Sequence, residues 1–256
     1  MQSLFTFDPL PLIAMFAIML FAGLVHGTLG LGFPMVATPL LATMMDVRAA
    51  ILVTLVPTLA VNILSIVSAE SSRQSLGQFS PLLFFTLLGS IIGACIIAIV
   101  DPAPFRIALA MLILLYLFSN RLAQLSPHWL HENRMFAMAG FGFMAGVAGG
   151  TTNVMVAILI IYFLAINCGR AVMVPVLNSC FFIGKASQIA ILSIAGFFSL
   201  SLALETLPLA IAAVSALFIG KKLQQQIKLE FYQRLLRKLL LVLALVLIVQ
   251  FVQQSL

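Results

Sequence analysis

Lys185 stands inside an apolar run, after Phe181-Phe182-Ile183-Gly184 and before Ser187 and Gln188. An ammonium at mid-bilayer depth is costly, so an intramembrane lysine faces a cavity or a partner. Asn178, Lys185 and Gln188 fall at i, i+7 and i+10, on one face of a helix. That face could attract an anion. It could equally hold a structural partner for Asp or Glu, or a lysine that snorkels to the interface. Thr54, Thr58, Asn62 and Ser65, spaced 4, 4 and 3, make a second polar face. We read it as the lining of a pathway in preference to interhelical glue. His26 could exchange a proton near neutral pH, although a histidine among glycines reads first as a packed, hydrogen-bonded residue.

Two glycine clusters would carry backbone close to such a site. The first reads Gly23-Leu-Val-His26-Gly27-Thr28-Leu-Gly30-Leu-Gly32-Phe-Pro34, and the second Gly142-Phe-Met-Ala-Gly146-Val-Ala-Gly149-Gly150-Thr151-Thr152-Asn153. At an offset of 119, Gly23, Gly27 and Gly30 fall on Gly142, Gly146 and Gly149. After a two-residue shift, Asp46 to Ala50 face Asn167 to Ala171, and Pro57 faces Asn178. Duplicated, glycine-broken membrane segments point to a central binding site. The candidate solute-binding residues are therefore Gly27, Thr28, Gly30, Gly149, Gly150, Thr151, Thr152, Asn153, Asn178, Lys185, Gln188, Thr58, Asn62 and His26. Gly89 and Gly93 form a small-xxx-small face and read as helix packing alone.

The elements that position these residues must cross a membrane. The chain is 63% hydrophobic and 8% charged, with a mean hydropathy of +1.21, against roughly 25% charged in soluble domains. Residues 47–69, 79–100, 104–120, 170–194, 201–220 and 235–252 are long enough to span. Residues 10–26 and 33–45 flank the first cluster, and 135–148 and 152–166 the second. The shortest of these reach about 20–22 Å as helix, below the ~30 Å hydrocarbon core. The expected fold is all-α and polytopic: repeats over 1–120 and 135–256, joined by 121–134, each with a broken or re-entrant glycine hairpin.

If each hairpin returns to its starting side, the second repeat is inverted. Connections 70–78, 119–134, 167–170 and 221–238 then lie inside with ten Lys/Arg, against Arg48 and Arg106 outside. Eight spans in two parallel halves place nine inside and three outside, so charge does not separate the two; segment length favours inversion. The basic stretch 221–238 reads as a cytoplasmic loop, not as a nucleic-acid surface. No HExxH, GxSxG or phosphate-binding loop occurs, so neither an enzyme nor a cofactor is expected. His128 and His131, beside Trp129 and Glu132, make a poor metal set, and three cysteines in or beside apolar segments make no disulfide scaffold.

The glycine-cluster, short-helix, Arg-Ala-helix pattern, present twice, resembles the sulfite exporter TauE/SafE-like family, also called the toluenesulfonate uptake permeases. Ser215-Ala-Leu-Phe-Ile-Gly220-Lys221-Lys222 fits a further small-residue element of that family. The tips differ from its commoner run of three glycines. The resemblance implies secondary transport of a small anion, often a sulfur oxyanion or organosulfonate, across a bacterial cytoplasmic membrane. Its partners would be the anion and the bilayer, with homo-oligomerisation an open state. Half-helix ends, Thr28, Thr151, Thr152 and Asn153 would replace the solute's water while Lys185 supplies positive potential. The alternatives are a non-transporting assembly or anchoring subunit, and a metal-cation transporter. The second is disfavoured because Asp46, Glu70, Asp101 and Glu205 sit at segment ends.

Overall fold

The computed structural model describes residues 9–68, 76–124, 129–224 and 229–255. Glu70, Gln74 and His128 lie outside them, as do parts of the connections 70–78 and 221–238. Among the described residues the regular structure is helical. Helices α1 to α6 are Pro9–Leu29, Phe33–Ala42, Val47–Val67, Ser80–Ile99, Pro104–Leu117 and Ser119–Gln124. Helices α7 to α12 are Trp129–Glu132, Arg134–Thr152, Val156–Ala165, Arg170–Ile194, Leu200–Gln224 and Leu229–Ser255. Seven of these are long and apolar enough to span a membrane, and α2, α5 and α9 are shorter apolar helices.

Two length expectations are corrected. Pieces 10–26 and 135–148 do not stop before their glycines: α1 and α8 run on to Leu29 and Thr152, giving candidate spans of 20 and 19 residues. An interior glycine costs a helix only about 1 kcal/mol, and close packing offsets it here. Conversely 104–120 is not one span-length helix, because α5 is 14 residues long and turns at Phe118. Pro57 and Pro175 lie inside α3 and α10 without ending them.

The packing explains why glycine is needed. Gly23 and Gly27 of α1 lie on the backbone of Ala213, Leu217 and Gly220 in α11. Gly146 and Gly150 of α8 lie on that of Thr86, Ser90 and Gly93 in α4. A Cβ on Gly150 would sit 2.7 Å from the Ser90 carbonyl oxygen, closer than real contacts allow. Gly89 and Gly93 face Phe143 and Val147, which bears out their packing role.

The helix bounds give the expected repeat a register different from that of the glycine alignment. Short helices α2 and α9 are each ten residues long and begin at Phe33 and Val156, an offset of 123. The same offset relates the N-caps Asp46 and Gly169. Gly23 and Gly27 thus correspond to Gly146 and Gly150, Gly30 to Asn153, Asn62 to Lys185, and Ser65 to Gln188. Pro57 then pairs with Cys180, not with Asn178, and no two-residue shift is needed. Gly142, Gly146 and Gly150 recur once per turn, so a slip of one turn still lays glycine on glycine.

Helix directions follow from the same contacts. In α1 and α11 the pairs Gly23·Ala213 and Gly27·Leu217 ascend together, as do Gly146·Thr86 and Gly150·Ser90 in α8 and α4. Those pairs run parallel. Helices α4 and α10 are parallel too, through Thr86·Cys180 and Ser90·Gly184. Arg48, at the start of α3, donates to the Ile97 and Val100 carbonyls at the end of α4, so α3 runs against α4 and against α10.

Candidate functional site

The second break in the chain, between α8 and α9, builds a closed polar network. Asn153 takes the left-handed conformation, φ 66°, which asparagine tolerates better than most residues. Its Nδ2 donates to Thr54 Oγ1 at 2.8 Å and to Thr38 Oγ1 at 3.0 Å. Its Oδ1 accepts from Lys185 Nζ, which also donates to Gln188 Oε1. Gln188 Nε2 is anchored on the Gly150 carbonyl at 2.7 Å. Thr38, Thr54, Asn153, Lys185 and Gln188 are all 0% exposed. The acceptors of Lys185 are neutral amide oxygens, and among the described residues no Asp or Glu is buried.

The first break, between α1 and α2, is held differently. Gly30 and Gly32 take φ 76° and 99°, a region open to glycine at little cost. Asn178 Nδ2 donates to the Gly30 carbonyl at 2.9 Å and to Val174 O at 2.9 Å. Arg170 donates to the Thr28 and Leu29 carbonyls, where a cation suits the end of α1. His26 Nδ1 accepts from the Phe33 backbone N–H at 3.3 Å, and its Nε2 lies 3.0 Å from Ser65 Oγ. Because Ser65 donates to Val61 O, the ring sits as the neutral Nε2–H tautomer. Both ring nitrogens are engaged, which favours the packed reading of His26.

The remaining candidates separate into three groups. Thr28, Thr151 and Thr152 turn their hydroxyls back onto Val25, Val147 and Ala148 carbonyls of their own helices. Gly27 and Gly150 are packing positions, and Gly149 faces the flexible side chain of Met155. Thr58 Oγ1, Asn62 Oδ1 and Asn178 Oδ1 are buried with no hydrogen-bond partner. The residue the sequence reading missed is Thr38. Its signal was available, since it is the only polar side chain in Phe33–Ala42.

Two hollows open beyond the short helices. One of about 470 Å³ is lined by Thr43, Asp46, Asp101, Arg106 and Gln250, and one of about 400 Å³ by Gln78, Arg134, Ile166 and Cys168. Neither reaches Lys185. The buried network, with a lysine that meets no carboxylate, is therefore the better candidate.

Span-length helices enclosing a lysine on neutral partners define a polytopic membrane protein built around an intramembrane polar centre. Residues 15–251 match the model of the family described as Sulfite exporter TauE/SafE, and the chain belongs to that family of membrane transporters. Comparisons with curated proteins and with solved structures give no match.

Proposed function

We propose that this chain is a secondary transporter of a small oxyanion of the sulfite, thiosulfate or organosulfonate class, bound at Lys185 in a bacterial cytoplasmic membrane. The observation that carries this reading is Lys185 itself: fully buried, on two neutral oxygens, with no buried carboxylate among the described residues. A buried ammonium without a counter-charge is strongly penalised, and an arriving anion supplies that charge. The N-terminal end of α9 adjoins Asn153 and adds a positive dipole end. Family membership supports the same class of cargo.

The network joins Thr38 and Thr54 from the 1–120 repeat to Asn153, Lys185 and Gln188 from the 135–256 repeat. Rocking one repeat against the other would break those bonds on one side of the solute and remake them on the other. The opposed directions of the corresponding helices α3 and α10 support an inverted repeat. Helix α2 passes Thr54 on its way back to the start of α3, which supports a hairpin that returns to its own side. In this arrangement 221–238 and the residues before α4 face the cytoplasm.

The test is thermal stabilisation of the purified protein by sulfite, thiosulfate, sulfonates, carboxylates and halides, followed by uptake into liposomes. A sulfur oxyanion should raise the midpoint and be transported, and Lys185→Ala should weaken both responses. The reading fails if no anion stabilises the parent, or if Lys185→Ala responds like it.

A further inference from the structure

We propose that a monovalent alkali cation binds at the first break, on Thr58 and Asn62 of α3 and Asn178 of α10, and is coupled to the anion at Lys185. The site stands on its own geometry, while the coupling rests on the transporter reading above. Thr58 Oγ1, Asn62 Oδ1 and Asn178 Oδ1 are buried oxygens with no partner. Turning the amides over does not help. Asn62 Nδ2 already donates to Thr58 O at 2.8 Å, and Asn178 Nδ2 to Gly30 O and Val174 O at 2.9 Å. A flipped amide would set oxygen against oxygen. What the two asparagines leave over is acceptor capacity, and Thr58 leaves a whole hydroxyl, whose oxygen can also ligate a cation; each unmet buried group costs about 1–3 kcal/mol.

The three side chains belong to the two helices that hold the first break. Asn178 holds Gly30, while Ser65, one turn beyond Asn62, holds His26, whose ring receives Phe33 N–H. Both α3 and α10 therefore grip the same short break. The opposed helices also meet where Asn153 touches Thr54 and Lys185. Moving two turns up α3 and two turns down α10 from there sets Asn62 across from Asn178.

The chemistry selects the class of ligand. Hard cations take oxygen ligands, and three neutral oxygens without a carboxylate offset one positive charge far better than two. Arg170, two turns from Asn178, already takes the Thr28 and Leu29 carbonyls, and its own charge opposes a second cation, so the site favours an ion of single charge. Lys185 lies seven residues from Asn178 on α10, about 10 Å along the axis. A cation at one point and an anion at the other attract across a medium of low dielectric.

The experiment titrates the purified full-length protein with sodium, potassium or choline chloride at constant ionic strength, without added oxyanion, and reads the thermal midpoint. Sodium or potassium should raise it saturably above choline, the chloride being common to all three. Asn62→Leu should abolish that response. Thr58→Val, which deletes only a hydroxyl, should raise the half-saturating concentration about tenfold and keeps the test valid if Asn62→Leu does not fold. Added sulfite should lower the half-saturating cation concentration, because coupling is reciprocal. The site is refuted if both alkali salts behave like choline, or if Thr58→Val titrates like the parent. A cation response with no oxyanion response keeps the site and sinks the oxyanion reading. The reverse result does the opposite.

Discussion

Both breaks follow a helix with a left-handed residue, Gly30 after α1 and Asn153 after α8, but the first adds a second left-handed residue at Gly32. At the first, a glycine takes the left-handed position and its neighbours Asn62 and Asn178 are left with unmet acceptors. At the second, Asn153 takes that position, and its side chain ties Thr38, Thr54 and Lys185 into a network in which the Lys185 ammonium and the Asn153 and Gln188 oxygens are partnered. Asn62 and Lys185 occupy corresponding places on α3 and α10, as do Ser65 and Gln188. Under the proposed duplication, the scaffold fixes where a polar side chain stands, and the residue chosen there decides which chemistry that position offers.

The largest effect to expect is all-or-none. In a variant with Cys95 and Cys168 replaced, cysteines introduced at Gln78 and Gln224, both exposed, should react with impermeant reagents from the cytoplasmic side only. Labelling of Gln78 from the opposite face would make the two breaks parallel copies. Next, Lys185→Ala should weaken oxyanion affinity about 10- to 100-fold, the range for a hydrogen bond to a charged group, as read by calorimetry. An undiminished affinity would move the anion away from the second break.

Asn153→Gly gives the second break the residue of the first and keeps φ 66° without strain. It should cost about 1.5–3 kcal/mol, since Lys185 loses an acceptor. A neutral result in chemical denaturation would mean that the network does not hold the break. Gly150→Ala should cost about 1–3 kcal/mol through overpacking, because its Cβ would meet rigid backbone at Ser90 and Ala94. Its neighbour Gly149→Ala should cost less than Gly150→Ala, because the atom most in its way is the movable Met155 methyl, with the Met155 Cβ 3.1 Å away behind it and no other residue's backbone among the nearest atoms. Equal losses at 149 and 150 would show that close packing does not distinguish the two faces of α8.

Much of this was legible without coordinates. The polar faces of 54–65 and 178–188 lie on helices as their spacing requires, and the packing role of Gly89 and Gly93 holds. Three things were not legible. The glycine ladder of α8 repeats with the turn of the helix, so its register to α1 was ambiguous by four residues. Hydroxyl-bearing residues beside a glycine tip look like free donors, yet Thr28, Thr151 and Thr152 satisfy their own helices. The lengths of α1 and α8 depended on neighbours whose backbones make helical glycine tolerable.

The sequence by itself determined that this chain lives in a bilayer, because 8% charge cannot cover a soluble surface. It also placed a lysine inside an apolar helix, where it must face a cavity, a partner or the interface. Only the tertiary structure decided what that lysine meets. Asn153 and Thr38 come from parts of the chain far from Lys185, and their convergence depends on helices packing through glycine at backbone distance. Composition and periodicity place a residue on a face of a helix. Which faces meet is settled by the packing of all the helices together, a condition no single segment carries.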